Sequence, residues 1–203
     1  MEHTLTIFAA ADYPEHRNLA LRLKAGDKSA VLEAADILLS LLSDAPVMII
    51  PVPSHTGHPT YMLQVAQVMA QRRGKGITKV FQHLRSEPHE SRHDAKHNGA
   101  LPQSLPRPFT TIDEKRKLHF QKMTEHFVPI LLDDIADTGT SLREAARPTG
   151  ANLALVINAT GNLSEDGESR EGNISIGLFV RKEESTGKPL RVPITNGNVR
   201  NNQ

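Results

Sequence analysis

The chain of 203 residues contains no cysteine and no tryptophan, and aromatic residues make up only 4% of it. Without cysteine there is no disulfide framework and no thiolate metal site, so a cytoplasmic protein is the expectation. Long hydrophobic runs are also missing. The apolar stretches at Ile37–Leu42 and Val47–Val52 fall far short of the roughly 20 residues that cross a bilayer. Leu5–Ala11 is likewise short and has no basic flank, so it does not read as a signal peptide. Nor is there an excess of one charge: Lys+Arg 24 against Asp+Glu 23 gives +1, which argues against a whole-chain nucleic-acid polycation.

What the chain does have is an aliphatic core and alternating helix and strand signals. Arg17–Lys24 reads as a short amphipathic helix ending at Gly26. Asp27 or Ser29 caps a stronger helix, Ala30–Leu42, with its apolar side chains on one face. Val47–Val52 has the continuous apolar pattern of a strand buried on both faces. A helix over Tyr61–Arg73 stops at Gly74, and Ile77–Leu84 follows as a strand. Periodicity then disappears from Arg85 to Thr110, a length of loop that is usually functional or disordered. Helix Asp113–His126, strand Ile130–Leu132, helix Ser141–Arg147 and strand Asn152–Asn158 complete a second unit. Leu163–Gly172 is a polar hairpin or loop, Ile174–Val180 an edge strand, and the Asn/Gly-rich tail 195–203 a disordered end. This order predicts an α/β fold, a single domain over residues 1–194 with a core at about 27–160, and a mostly parallel central sheet flanked by helices. Ligands of such sheets bind beyond the carboxyl ends of the strands.

One segment carries legible chemistry: Pro129 to Ala146, reading PILLDDIADTGTSLREAA. An apolar strand delivers Asp133 and Asp134 to its carboxyl end. The turn Asp137-Thr138-Gly139-Thr140-Ser141 then leads into a helix. Successive amides in such a turn and the positive end of the helix suit an anion, and three hydroxyls add donors. Gly139 lets the backbone fold closely around it. Two carboxylates are the wrong sign for phosphate but the right acceptors for paired sugar hydroxyls, and they can share an Mg²⁺. Donors for phosphate beside acceptors for hydroxyls describe a sugar phosphate. A P-loop would require a Lys after its glycine-rich turn, and none is present.

Four apolar positions, two acids, two variable positions and Thr-Gly-x-Ser/Thr resemble the phosphoribosyl-pyrophosphate signature of type I phosphoribosyltransferases. The resemblance implies a Rossmann-like fold with a small hood from the terminal segments, Met1–His16 and Ile174–Pro193. It implies that Asp133 and Asp134 hold the ribose hydroxyls and that Asp137, Thr138, Gly139, Thr140 and Ser141 hold the 5′-phosphate. Leu23-Lys24-x-Gly26, Ile50-Pro-Val-Pro53 and Arg92 with Asn98-Gly99-Ala100 are similar to the ComF/GntX group of that family. The chain departs from the pattern at Pro129 and Ala136, lacks that group's cysteine-rich zinc module, and replaces its basic segment with Ser54-His55-Thr56-Gly57-His58.

The resemblance further implies a Mg²⁺-dependent transfer of phosphoribosyl from 5-phosphoribosyl 1-pyrophosphate to a nitrogenous acceptor, and a homodimer is common among such enzymes. Ser54, His55, Thr56 and Gly57 then stand where pyrophosphate binds, against a plain strand-to-helix turn capped by Thr60. Arg85, Arg92 and Lys96 would belong to a mobile loop that neutralises the departing diphosphate, against a merely solvated charged loop. Asp137 matches the catalytic Asp of hypoxanthine-guanine phosphoribosyltransferases; a helix-capping carboxylate is the other reading. The strand ending at Asn158 delivers no Lys for a purine 6-oxo group. His89, His93 and His97 recur every fourth residue, but Pro88 and Gly99 argue against the helix a zinc site would need. Two alternatives to an enzyme stay open: a non-catalytic sensor of a phosphoribosyl metabolite or nucleotide, and a ComF-like accessory of DNA uptake. The basic stretch Arg72–Lys96 suits the latter.

Overall fold

In a computed structural model, described here over residues 3–12, 16–88, 110–160 and 174–180, six parallel strands form one sheet. They are β1 (His3–Asp12), β2 (Val47–Pro51), β3 (Thr78–Val80), β6 (Val128–Ala136), β7 (Leu153–Ala159) and β8 (Ile174–Val180). Their order across the sheet is β3-β2-β6-β7-β1-β8. Two short strands, β4 (Leu84–Ser86) and β5 (Thr110–Ile112), pair antiparallel as a separate sheet. Among the described residues no helix is long and apolar enough to cross a membrane.

The elements follow from the chain's own signals. β2 is buried at all its positions, as its unbroken apolar run requires. Helix α1 spans Arg17–Lys24 and α2 spans Lys28–Leu39. Asp27 caps α2 by accepting the Ser29 N–H at 2.8 Å. Arg22 ties α1 to this cap, with Nε 2.7 Å from Asp27 and a second nitrogen 2.8 Å from Glu33. Helix α3, Tyr61–Arg73, ends at Gly74, whose φ of 92° closes the helix in a conformation only glycine adopts freely. Helix α4 is Lys117–Thr124, entered through a 3₁₀ turn at Glu114–Arg116, and α5 is Thr140–Thr149.

Each face of the sheet has its own core. Leu23, Ala34, Leu38, Val65 and Met69 of α1–α3 pack on one face with Ile49, Ile130 and Leu132. On the other, Phe120 of α4 and Leu142, Ala145 and Ala146 of α5 pack with Met48, Leu131 and Val156. Phe81 and Phe120 meet edge to face there, ring centres 4.8 Å apart.

Three expectations change. The amino-terminal segment placed in a hood is instead β1, an inner strand between β7 and β8, with Leu5 and Ile7 fully buried. Ile174–Val180 is the expected edge strand, but of the same sheet rather than of a hood. The core therefore reaches beyond 27–160. The expected strand Ile77–Leu84 is split: β3 belongs to the main sheet, whereas Leu84 starts β4. The unstructured stretch 85–110 accordingly has a paired stem, Ser86 opposite Thr110. Arg92, Lys96, the histidines at 89, 93 and 97, Asn98–Ala100, the segment 163–172 and the tail 195–203 lie outside the described residues.

The topology fixes where a ligand crevice opens. From β2 the chain turns through α3 to β3 on one side; from β6 it turns through α5 to β7 on the other. β2 and β6 are adjacent, and α3 and α5 cover opposite faces. Between the carboxyl ends of these two strands the connections diverge, which is the switch point where open α/β sheets bind ligands.

Candidate functional site

Both sequence segments singled out for chemistry leave the sheet at this switch point. The Val52 N–H donates to Leu132 O at 2.9 Å, so the Pro53–Thr60 loop departs directly beside Asp133. The Asp137–Ser141 turn follows the end of β6.

Gly139 sits at φ 70°, ψ 6°, the left-handed conformation that turns the chain from strand into α5. Arg143 N–H to Gly139 O, 2.9 Å, closes the first helical turn. The amides from Thr138 to Leu142 donate to no protein acceptor among the described hydrogen bonds. They are the orphan donors of a helix start. The Thr138 and Thr140 hydroxyls lie 2.9 Å apart, and an Arg143 nitrogen donates to Thr138 O at 2.9 Å. The turn thus gathers hydroxyls and unpaired amides at the positive end of α5, an arrangement able to hold a phosphate.

Asp133 and Asp134 are rooted on opposite faces by strand alternation. Asp134 is nearly buried, 8% exposed, on the α1–α3 side. Its Oδ2 accepts from the Tyr61 hydroxyl at 2.8 Å and lies 3.3 Å from Lys24 Nζ, while Oδ1 accepts from the Ile135 N–H at 2.9 Å. Asp133 bends along the strand end and accepts the Asp134 N–H at 2.9 Å. Asp133 is partly buried, which removes some of the water around its carboxyl group. That desolvation, and next the charge of Asp134, push its pKa well above the ordinary carboxylate range. Burial, and next the same Asp134 charge, raise the Tyr61 phenol far above its ordinary value, so it remains a donor.

Among the described residues no group of three or more His, Cys, Asp or Glu is placed to hold a metal ion. Mg²⁺ in phosphate sites takes only one or two protein carboxylates, the rest coming from water and phosphate oxygens. The two carboxyls match that donor set only with Asp133 ionised, the form a bound cation would favour.

The N-cap position of α5 is Gly139, and Asp137 lies two residues before it. Asp137 Oδ1 accepts the Thr160 hydroxyl at 2.7 Å, and its backbone oxygen the same hydroxyl at 3.3 Å, binding the turn to the chain just past β7. At the end of β7, Asn158 is fully buried with neither amide atom hydrogen-bonded.

The Ser54–Gly57 loop is closed on itself. The Ser54 N–H and Oγ–H both reach His58 O at 3.1 Å, Gly57 N–H reaches Ser54 O at 2.9 Å, and Thr56 N–H reaches Ser54 Oγ at 3.3 Å. Ser54 Oγ and Thr56 Oγ1 are 2.8 Å apart. The amides expected to face pyrophosphate at 54, 56 and 57 are thus already engaged. His55 and His58 are exposed. Thr60 makes no side-chain cap to α3. Arg85, expected in a free loop, lies in β4 and donates to Gln82 O at 2.7 Å and Leu84 O at 2.9 Å.

Sequence reasoning passed over Lys24, Tyr61 and Thr160. Lys24 belongs to the Leu-Lys-x-Gly segment but had no assigned partner. Tyr61 carried a faint signal: it is one of two tyrosines in the chain and begins the helix after the candidate loop. Thr160 had none. Models of known protein families give no match to this chain, and a search of curated proteins finds no relative.

Proposed function

We propose that this protein is a phosphoribosyltransferase, moving the 5-phosphoribosyl group of 5-phosphoribosyl 1-pyrophosphate to a nitrogenous base or amine with release of pyrophosphate. One observation carries the reading: an anion-competent turn and an acid pair share the end of a single strand at the switch point of the sheet. In this reading Thr138–Ser141 anchor the 5′-phosphate. Asp133, on the α5 side, and Asp134, steadied by Tyr61 and Lys24, accept from the ribose hydroxyls. The two carboxylates would hold Mg²⁺, which supplies positive charge to the leaving diphosphate. The acceptor nitrogen bonds to the anomeric carbon as the carbon–oxygen bond to pyrophosphate breaks, and the bonding pair leaves with the diphosphate. Asp137, fixed by Thr160, stands beside the cradle to receive the proton the nitrogen loses.

Calorimetric titration with the donor and Mg²⁺ tests the assignment, using the native protein and Asp133→Asn/Asp134→Asn. The double variant is expected to bind at least about tenfold more weakly, the order of two charged hydrogen bonds. Equal affinity would remove both acids from the ribose.

A second reading has its own support. With its amides satisfied internally, the Ser54–Gly57 loop offers pyrophosphate little, which favours a sensor that binds a phosphoribosyl metabolite without turning it over. Incubation with donor, Mg²⁺ and a panel of bases and amines separates the two. Tight donor binding with no pyrophosphate released by any acceptor would mark the sensor.

A further inference from the structure

A cavity of about 550 Å³ lies between β5, α4 and α5, apart from the crevice and independent of the reading above. Its size is that of a small-molecule site. Ile112, Phe120 and Pro148 give it an apolar wall, and Glu144 and Arg147 of α5 give it one charge of each sign.

Glu144 is the informative residue. Only 11% of its side chain is exposed. Its one ion-pair contact is an Arg147 nitrogen at 3.6 Å, longer than a hydrogen bond, and no donor is bonded to it among the described residues. Arg147 lines the same cavity and is 47% exposed. A largely covered carboxylate short of donors gains from a ligand that supplies them. The other charges on the wall, Glu114 and Lys117, are half exposed or more and pair with each other at 2.5 Å.

The occupant must satisfy Glu144 without repelling Arg147. A simple cation would be pushed away by the guanidinium, and a simple anion by the carboxylate. A molecule with an ammonium and a carboxylate on neighbouring atoms meets both, setting two opposed ion pairs side by side. An apolar side chain on the same molecule covers Ile112, Phe120 and Pro148. From this pairing of an under-bonded carboxylate with an adjacent guanidinium over an apolar wall, we infer that the cavity binds an α-amino acid with an apolar side chain.

Titration of the full chain with L-leucine and L-phenylalanine, followed by calorimetry and ligand-observed NMR, tests the site. At least one of them is expected to bind saturably, and Glu144→Gln and Arg147→Gln are each expected to weaken it about tenfold or more. N-acetyl-leucine amide, which keeps the side chain and loses both charges, is expected not to bind, a control needing no variant. Absence of saturable binding by either amino acid would overturn the inference. So would equal binding of agmatine, which would mark a plain cation site, or retained affinity in both variants with native circular dichroism. None of these outcomes bears on the phosphoribosyl donor, whose binding is measured separately.

Discussion

At Asp133 the physical question is which protonation state the fold prefers. Folding raises its pKa, first through burial and then through the charge of Asp134. The stabilising form is therefore the neutral acid: its contribution is complete below the unfolded value near 4 and is lost as pH rises through the folded value. At pH 7 an ionised Asp133 works against the native state. Asparagine keeps the oxygen that accepts the Asp134 N–H and discards the charge. Asp133→Asn is expected to raise the melting temperature at pH 7 by a few degrees, about 2–4 °C for each kcal/mol in a chain of this size. The gain should shrink to nothing by pH 3. Thermal unfolding followed by circular dichroism at both pH values checks it; an unchanged or lower midpoint at pH 7 would place the carboxyl in water. The two acids and the turn were legible in the sequence because the chemistry sits in consecutive residues. Their partners were not. Lys24 and Tyr61 reach Asp134 across 110 and 73 positions of chain, and only the packing of α1 and α3 on one face brings them there.

Among the elements, long periodic ones were legible and short ones were not. α1 and α3 have the bounds their apolar spacing and glycine stops predict, and β2 has its all-buried pattern. β4 and β5 are three residues each, too short to show a period of two, and their pairing arises from meeting each other across 110 − 86 = 24 positions. That stem explains a glycine. Gly57 has φ 86°, its oxygen accepts the Ser86 N–H at 3.2 Å, and a Cβ placed on it would lie 2.6 Å from Ser86 O. Gly74 also has positive φ, 92°, but a Cβ there meets nothing within 4 Å. Both alanine substitutions carry the conformational cost of about 1 kcal/mol. Only Gly57→Ala adds a collision with backbone, so it should be the more destabilising by roughly 1–3 kcal/mol. Urea unfolding of the two variants decides it. Equal midpoints would mean that the loop and the β4 end separate freely.

Across the whole molecule, the candidate crevice and the amino-terminal strand β1 are different places. The crevice lies between β2 and β6, whereas β1 lies beyond β7, next to the edge. β1 was not recognised as a strand, because Leu5–Ala11 is equally short whether it is read as a leader core or as a buried strand. Its register with both β7 and β8 resolves the matter: six pairs to one and seven to the other join it to the sheet on each side. Leu5 is fully buried on the α4–α5 side of the sheet. Leu5→Ala leaves a cavity there and is expected to cost about 2–5 kcal/mol, a large part of the 5–15 kcal/mol typical of a native domain. Two strands, β7 and β6, separate Leu5 from the loop after β2, and distant sites add independently. Donor affinity under native conditions should therefore stay within about twofold of the parent, since a loss of global stability reaches a binding site only through the unfolded fraction. Urea unfolding and donor titration on the same preparation measure the two quantities separately. A matching loss of affinity while the protein remains folded would show that the sheet transmits strain from β1 to β6, and that the crevice is not mechanically separate from the strand beside its edge.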